Sequence, residues 1–377
     1  MNNHTKKTEK MKTIKYMPAG RRALRLALLA VALHSSPLAA QTQTEQYQPG
    51  VTQEGAVYFL PKTAVRVSVL IEKTSYRPGD FARYAQRYLR LNNVSLEPSV
   101  SYRVVGLTAV PIGVADTAKA FAVKFNARTV AANVALADDG RLLAINAEPR
   151  AEQLPAPFRP AVRPAPVNPR QYMNEEILAA GSTAKMAELT AREIYDLREN
   201  RSLLIKGQAD FMPTDGAQMQ FMLGQISQQD QALTQLFQGV TECDTTEHVV
   251  VMAPEGSTTR QPLFRLSQRR GLVDKDDLSG EPFYISVDDI TALPAADEGK
   301  GKKHKTVETG IYVNVPGKMR VTIFHGAQQL QVVEMPAAQF GHVELLSGEL
   351  FNKRYTTRLW LSPVSGAVDR LEAEQPK

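Results

Sequence analysis

The chain of 377 residues holds one cysteine, Cys243, and one tryptophan, Trp360. A single cysteine excludes any disulfide within the chain, so stability must rest on packed apolar cores. Aromatic residues make up only 7% of the chain, which is thin for a sugar-stacking platform, although Tyr76, Tyr84 and Tyr88 can supply a small one. No apolar run reaches the length of a membrane span. The longest near the start, Leu26 to Leu33, covers about 12 Å as a helix against a hydrocarbon core of about 30 Å.

Catalytic patterns are scarce as well. A Gly-x-Ser-x-Gly elbow is missing. Gly181-Ser182-Thr183 and Gly256-Ser257-Thr258 lack its second glycine, and Ser182 reads better as a helix cap. Cys243 stands between Glu242 and Asp244, which disfavour a thiolate, and His248 is five residues away, so a Cys-His pair is disfavoured. Beyond residue 40 the histidines are His248, His304, His325 and His342; they show neither His-x-His nor His-Glu-x-x-His spacing, and His304 lies among lysines that repel a cation. Convergence of His325 and His342 with acids in three dimensions is the one metal arrangement left open. Glycine-rich nucleotide loops are absent. The doublets Asp276-Asp277 and Asp288-Asp289 point to opposite faces if on strands, and read as turn acids rather than as an acid–base pair. No residue is assigned as catalytic, cofactor-binding or metal-binding, and no cofactor is expected.

What is present begins with a leader. Lysines, then Arg21, Arg22 and Arg25, precede the apolar run, and Leu38-Ala39-Ala40 closes it, the layout of a cleavable signal peptide. Met11 or Met17 also fits as the start. Export to the periplasm or cell surface, with cleavage near Ala40, is the expectation. No cysteine follows the cut to accept a lipid, so the mature chain is expected to be soluble. Residues 1–40 carry eight basic groups against Glu9 alone, a net of +7, so that −1 of the overall +6 is left for the remainder. A near-neutral remainder lacks the field that drives phosphate-backbone binding, which argues against nucleic acid as a partner.

Residues 41–150 read as a β-rich domain with one helix. Val65, Val67, Val69 and Ile71 alternate with Arg66, Ser68, Leu70 and Glu72, the signature of a half-buried strand, and Phe121, Val123 and Phe125 repeat it. Asp138-Asp139-Gly140 between Asn133–Leu136 and Arg141–Asn146 predicts a hairpin. Asp80, after Pro78-Gly79, is placed to cap a helix with Phe81, Tyr84, Ala85 and Tyr88 on one face. Arg83, Arg87 and Arg90 form its other face, either a simple solvated stripe or a grip for an anionic glycan or lipid head group.

Six prolines between Pro155 and Pro169 mark residues 151–170 as a semi-rigid linker. Residues 171–245 read as a helical hairpin. The first helix is capped by Ser182 or Thr183 and runs to about Glu199. The second opens at Asp215 with Gln218 as a capping box, buries Met219, Met222, Leu223, Ile226, Leu233, Leu236 and Phe237, and stops at Gly239. A polar break at Gln229 and Asp230 favours an intramolecular pair over an oligomerising coiled coil. Residues 246–377 read as a β-rich C-terminal domain. Its strands are His248–Met252, Pro282–Val287, Ile311–Val315, Arg320–Phe324, Val343–Leu346 and Thr357–Leu361, with a turn at Pro316-Gly317, a basic loop at 298–305 and a closing turn at Ser362–Gly366. The fold class is therefore α+β: two mainly antiparallel β domains with a helical hairpin between them.

Several of these stretches also resemble a family of exported Bacteroidetes proteins, domain of unknown function 4831. They are Val57 to Thr63, Glu72 to Tyr76 with Pro78 to Ala82, Gly140 to Ala147, Ala191 to Tyr195 with Arg198-Glu199, and Met212-Pro213 with Leu236 to Gly239. The resemblance covers roughly residues 50–372 and implies no activity. Sheet-rich architecture with little chemistry suggests a binding or scaffolding module of the cell envelope with a protein or glycan partner. A hydrolase of envelope glycan or peptide, with acids from separate strands, is the alternative, and a structural subunit of an envelope assembly a third reading.

Overall fold

Val65, Val67, Val69 and Ile71 share one face of a single long strand, each 2% exposed or less. The computed structural model describes residues 43–46, 56–124, 133–162, 165–292, 310–351 and 356–374. The leader (residues 1–40), Phe125 and the basic loop lie outside them.

Among the described residues the strands before the linker are β1 (Gln43–Gln46), β2 (Ala56–Arg77), β3 (Ser99–Lys124), β4 (Val134–Leu136) and β5 (Leu142–Ile145). The helices are α1 (Ala85–Leu89), α2 (Glu175–Leu178), α3 (Thr183–Lys206) and α4 (Gly216–Gln238). After them come β6 (Val240–Met252), β7 (Thr258–Ser267), β8 (Gly271–Val273), β9 (Glu281–Asp289), β10 (Gly310–His325), β11 (Gln328–Ser347), β12 (Thr356–Leu361) and β13 (Val368–Glu374). They form three antiparallel sheets, ordered β1-β3-β2-β6, β11-β10-β9-β7-β8 and β13-β12-β5-β4. The class is α+β and mainly β.

The first two sheets face each other. Val65 to Ile71 and Ala109 pack on Phe264, Phe283, Ile285, Val321, Ile323 and Met335. Each such side chain contributes about 1.5–3 kcal/mol when buried. A second core lies beyond, where Tyr58 and Leu60 of β2 and Ile311 and Val313 of β10 meet Leu142, Ile145, Leu359 and Leu361 of the third sheet. The buried positions on β2 change from even to odd between Leu60 and Val65, following a bulge between Phe59 and Pro61. The surplus residues of that irregularity lie on β3, which passes from Ala120 to Ala115 while β2 passes from Phe59 to Pro61. Around it Leu60, Pro61, Thr63, Ala64 and Val65 are all buried, and β2 serves both cores.

Residues 40–377 form one compact unit. Sheets run across the proline-rich segment: β6 pairs with β2, and β12 pairs with β5. The limit at 150 falls between β5 and the prolines, that at 170 in the turn before α2, and that at 245 inside β6. The proline-rich segment holds no helix or strand among its described residues before Pro169. It is tied to the body at Phe158, whose N–H donates to Glu247 Oε2 at 3.2 Å. Just before it, Arg150 lies 3.6 Å from Asp369 and Trp360 Nε1 donates to Glu148 O at 3.0 Å.

The hairpin around Gly140, with φ +83°, stands where the Asp-Gly pair places it. Ser182 Oγ accepts from Lys185 N–H at 3.2 Å and Asp215 Oδ1 from Gln218 N–H at 2.7 Å, so both long helices are capped by the expected residues. The Gln218 side chain does not close the box on Asp215; its Oε1 accepts from Thr214 N–H at 3.0 Å. α3 runs past Glu199 to Lys206, because nothing breaks the helix before Gly207 takes φ +71°. Leu233, Leu236 and Phe237 are buried, whereas Met219, Met222, Leu223 and Ile226 are half-buried. The polar break has a partner: Asp230 Oδ1 accepts from Arg198 Nε of α3 at 3.0 Å.

Two local expectations are overturned. Asp80 caps nothing; α1 is a single turn after a 3₁₀ turn at Ala82–Tyr84, with no side-chain cap, and Asp80 lies 3.7 Å from Arg170 instead. The chain here serves α4, because Phe81 N–H donates to Leu236 O at 2.7 Å, filling an otherwise orphaned helix-end carbonyl. Gly79 permits that approach, since a Cβ on it would come within 2.2 Å of Leu236 O. Nor does Pro316-Gly317 make a turn. β10 continues through it with a bulge between Val315 and Gly317, where a residue without an N–H is tolerated.

Candidate functional site

The inner faces of β3 and of the β7–β9–β10 strands diverge at one end of the sandwich and leave a cleft of about 460 Å³. Antiparallel register builds it. Phe283 pairs with His325 across β9 and β10, and Glu281 pairs with Leu266 across β9 and β7. Val104, Leu266, Phe283 and Leu330 supply apolar lining, while Arg103, Gln268, Glu281 and His325 supply polar groups.

Three rings stack in sequence. Phe283 lies 4.5 Å from Phe264 and 4.4 Å from His325, with planes at 14° and 13°. His325 Nε2 donates to Glu281 Oε2 at 2.9 Å. Opposite them, Tyr102 N–H donates to Gln268 O at 2.8 Å, and its ring rests on Gly271, where a Cβ would stand 3.1 Å from the ring. Gly271 has φ +79°, so glycine meets two demands at once. Arg103 Nε donates to Glu72 Oε1 at 2.7 Å; that bond raises the pKa of the guanidinium above its ordinary value. An imidazole braced by a carboxylate can pass a proton, but this lining holds no serine or cysteine, and Glu281 is its one carboxylate.

Other sequence candidates are kept apart. Cys243 is exposed, and the five-residue offset along β6 turns His248 to the other face of the sheet. His325 and His342 do not meet; His342 Nε2 lies 2.8 Å from Glu344 Oε1 on its own strand. Among the described residues, no group of three or more His, Cys, Asp or Glu is placed to hold a metal ion. His304 lies outside them. Ser257 Oγ accepts from Asp289 N–H at the end of β9 at 3.1 Å, and Asp277 Oδ1 accepts from Ser279 N–H within a turn at 2.9 Å. Tyr84 and Tyr88 pair at 6.1 Å, while Tyr76 lines a separate cavity.

The sequence profile of domain of unknown function DUF4831 matches residues 54–369. The chain belongs to this family. No curated protein and no solved structure matches it. The span matched by DUF4831 includes every residue that lines the cleft, from Tyr102 to Leu330. No described helix is long and apolar enough to cross a membrane.

Sequence reasoning missed the cleft. Glu281 and Phe283 share a face by period-two spacing, which is a visible signal, but their meeting with His325 and Tyr102 depends on strand partners.

Proposed function

We propose that this DUF4831 protein is an exported cell-envelope module that binds or scaffolds a partner, with the Tyr102–Phe283–His325 cleft as its capture site. One observation carries the reading: an apolar lining with a polar rim at an open sandwich end, built on rigid strands. Such a slot suits insertion of an apolar or aromatic group from an envelope protein or glycan, with Arg103, Gln268, Glu281 and His325 fixing its orientation. Export rests on the leader, whose removal near Ala40 gives a mature chain beginning at Gln41.

The His325–Glu281 pair favours the alternative, an envelope glycan or peptide hydrolase. Glycoside hydrolysis generally uses two carboxyl groups, and Glu281 alone lines the cleft. A binding role asks nothing more of the site.

A photo-crosslinking residue at Leu330, 39% exposed, tests both readings in intact cells. The binding module gives discrete adducts, lost on Phe283→Leu and absent from a crosslinker at Val251 on the sheet edge. Monomer alone from Leu330 overturns it. Turnover of envelope glycan that disappears in Glu281→Gln establishes the hydrolase instead.

A further inference from the structure

Arg90 is held in a backbone conformation that arginine disfavours. It ends α1 with φ +60° and ψ 27°, at the left-handed position that usually falls to glycine. Among the described residues only Asn146 and Arg260 share positive φ without being glycine. Both have visible reasons. Asparagine tolerates the region, and Asn146 Nδ2 donates to Thr357 O at 2.9 Å. The Arg260 guanidinium lies over Tyr284 and Phe324, at 5.4 and 5.0 Å. The Arg90 side chain has no hydrogen bond, ion pair or ring contact among the described residues, and Arg90 lines a cavity of about 590 Å³. Backbone strain retained at a cavity is a mark of function.

The remainder of that cavity is mainly polar. Asn92, Asn93, Ser99, Gln238 and Thr241 line it with uncharged residues that both donate and accept, Leu91 and Val94 add apolar surface, and no carboxylate joins them. Ser95 also lines it, its hydroxyl held by the Glu97 backbone at 2.9 and 3.2 Å. Its walls are tied in advance. The Tyr76 hydroxyl lies 2.8 Å from Ser95 O and 3.2 Å from Gln238 O, and by donating between them it links the 90–99 loop to the end of α4. Of the charges nearby, Glu242 accepts from Arg77 at 2.9 Å. Glu97 stands two residues from Ser95, outside the lining.

We infer that this cavity binds a saccharide unit carrying one acidic group. Arg90 holds the acid as a charge-assisted pair, while the amides and hydroxyls bond the ring hydroxyls, which need donors and acceptors together. A bare anion would use the donors and leave the acceptors idle. The volume falls in the range of small-ligand sites. The site is separate from the His325 cleft, and its ligand stands or falls without it.

Titration of the purified protein with glucuronate, glucose and inorganic phosphate, read by calorimetry and ligand-observed NMR, tests this. Glucuronate should bind at least about 10-fold more tightly than glucose or phosphate. Arg90→Gly and Arg90→Asn should abolish that preference while leaving the thermal midpoint equal or higher, since both residues accept positive φ. Equal binding of glucose, equal binding of phosphate, an undiminished glucuronate preference in both variants, or a lowered midpoint in both overturns the proposal.

Discussion

Asn314 Nδ2 donates to Pro61 O at 2.8 Å, joining β10 to β2 at the level where the first core gives way to the second. The same amide donates to Ser365 O at 2.9 Å, and Asn314 is 1% exposed. Nearby, Thr63 and Gln339 exchange bonds: Thr63 N–H donates to Gln339 Oε1 at 3.0 Å, and Gln339 Nε2 donates to Thr63 O at 2.9 Å. Arg141, 7% exposed, reaches Asp139, Glu152 and Pro363 O. Bulged strands leave ladder groups unmatched, and this polar seam supplies partners for them.

Replacing Asn314 with alanine strands the Pro61 and Ser365 carbonyls in the interior. Asn314→Ala should cost about 2–4 kcal/mol, the desolvation of two buried acceptors plus a small cavity. Urea unfolding measures it; a loss below about 1 kcal/mol would show that the seam is incidental.

Two glycines should respond in opposite directions. Gly79→Ala pushes a methyl against Leu236 O and should destabilise by about 1–3 kcal/mol. Gly224, within α4, faces open space, with no atom within 4 Å of where a methyl would stand. Gly224→Ala should therefore stabilise by about 0.5–1 kcal/mol through helix propensity. Thermal melts of the two variants beside the parent decide it. A Gly79→Ala variant as stable as the parent would refute the crossing of the Gly79 segment over the end of α4.

The tie at Phe158 should loosen in acid. The Ser68 hydroxyl and Phe158 N–H bond the Glu247 carboxylate, and with Arg66 nearby they outweigh its desolvation and hold it below its usual value of 4.5. A carboxyl depressed in the folded state contributes above its unfolded value and loses that contribution as pH falls through the lower folded one. Hydrogen exchange at the Phe158 amide, corrected for intrinsic rate, should be steady down to about pH 5 and accelerate below about pH 4. Glu247→Ala should exchange fast throughout; unchanged protection would place the latch elsewhere.

Period-two burial on β2, the hairpin at Gly140, and the caps at Ser182, Asp215 and Gly239 are all legible in the chain. Each depends on neighbours a few residues apart: alternation of side chains on a pleat, a left-handed glycine, a side-chain oxygen one turn from an unpaired N–H. Pro316-Gly317 misleads because the same dipeptide suits a turn and a bulge, and the choice falls to β11 and β9 alongside. Asp80 misleads because Arg170 and the end of α4 compete for the segment it would cap.

Sheet membership was beyond reach for a different reason. Pairing β6 with β2 and β12 with β5 closes loops of well over a hundred residues, and no local propensity encodes which edges meet. The cavity under Arg90 stands on the β2–β6 pairing, through Tyr76 and Thr241. The stack of Phe264, Phe283 and His325 comes from β7, β9 and β10, and the cleft from the meeting of that sheet with β3. Residue order thus dictated the strands, the helix ends and the family, through short-range sterics and hydrogen bonding. Burial of shared apolar faces between distant strands chose which side chains stand together, and so where a ligand can lie.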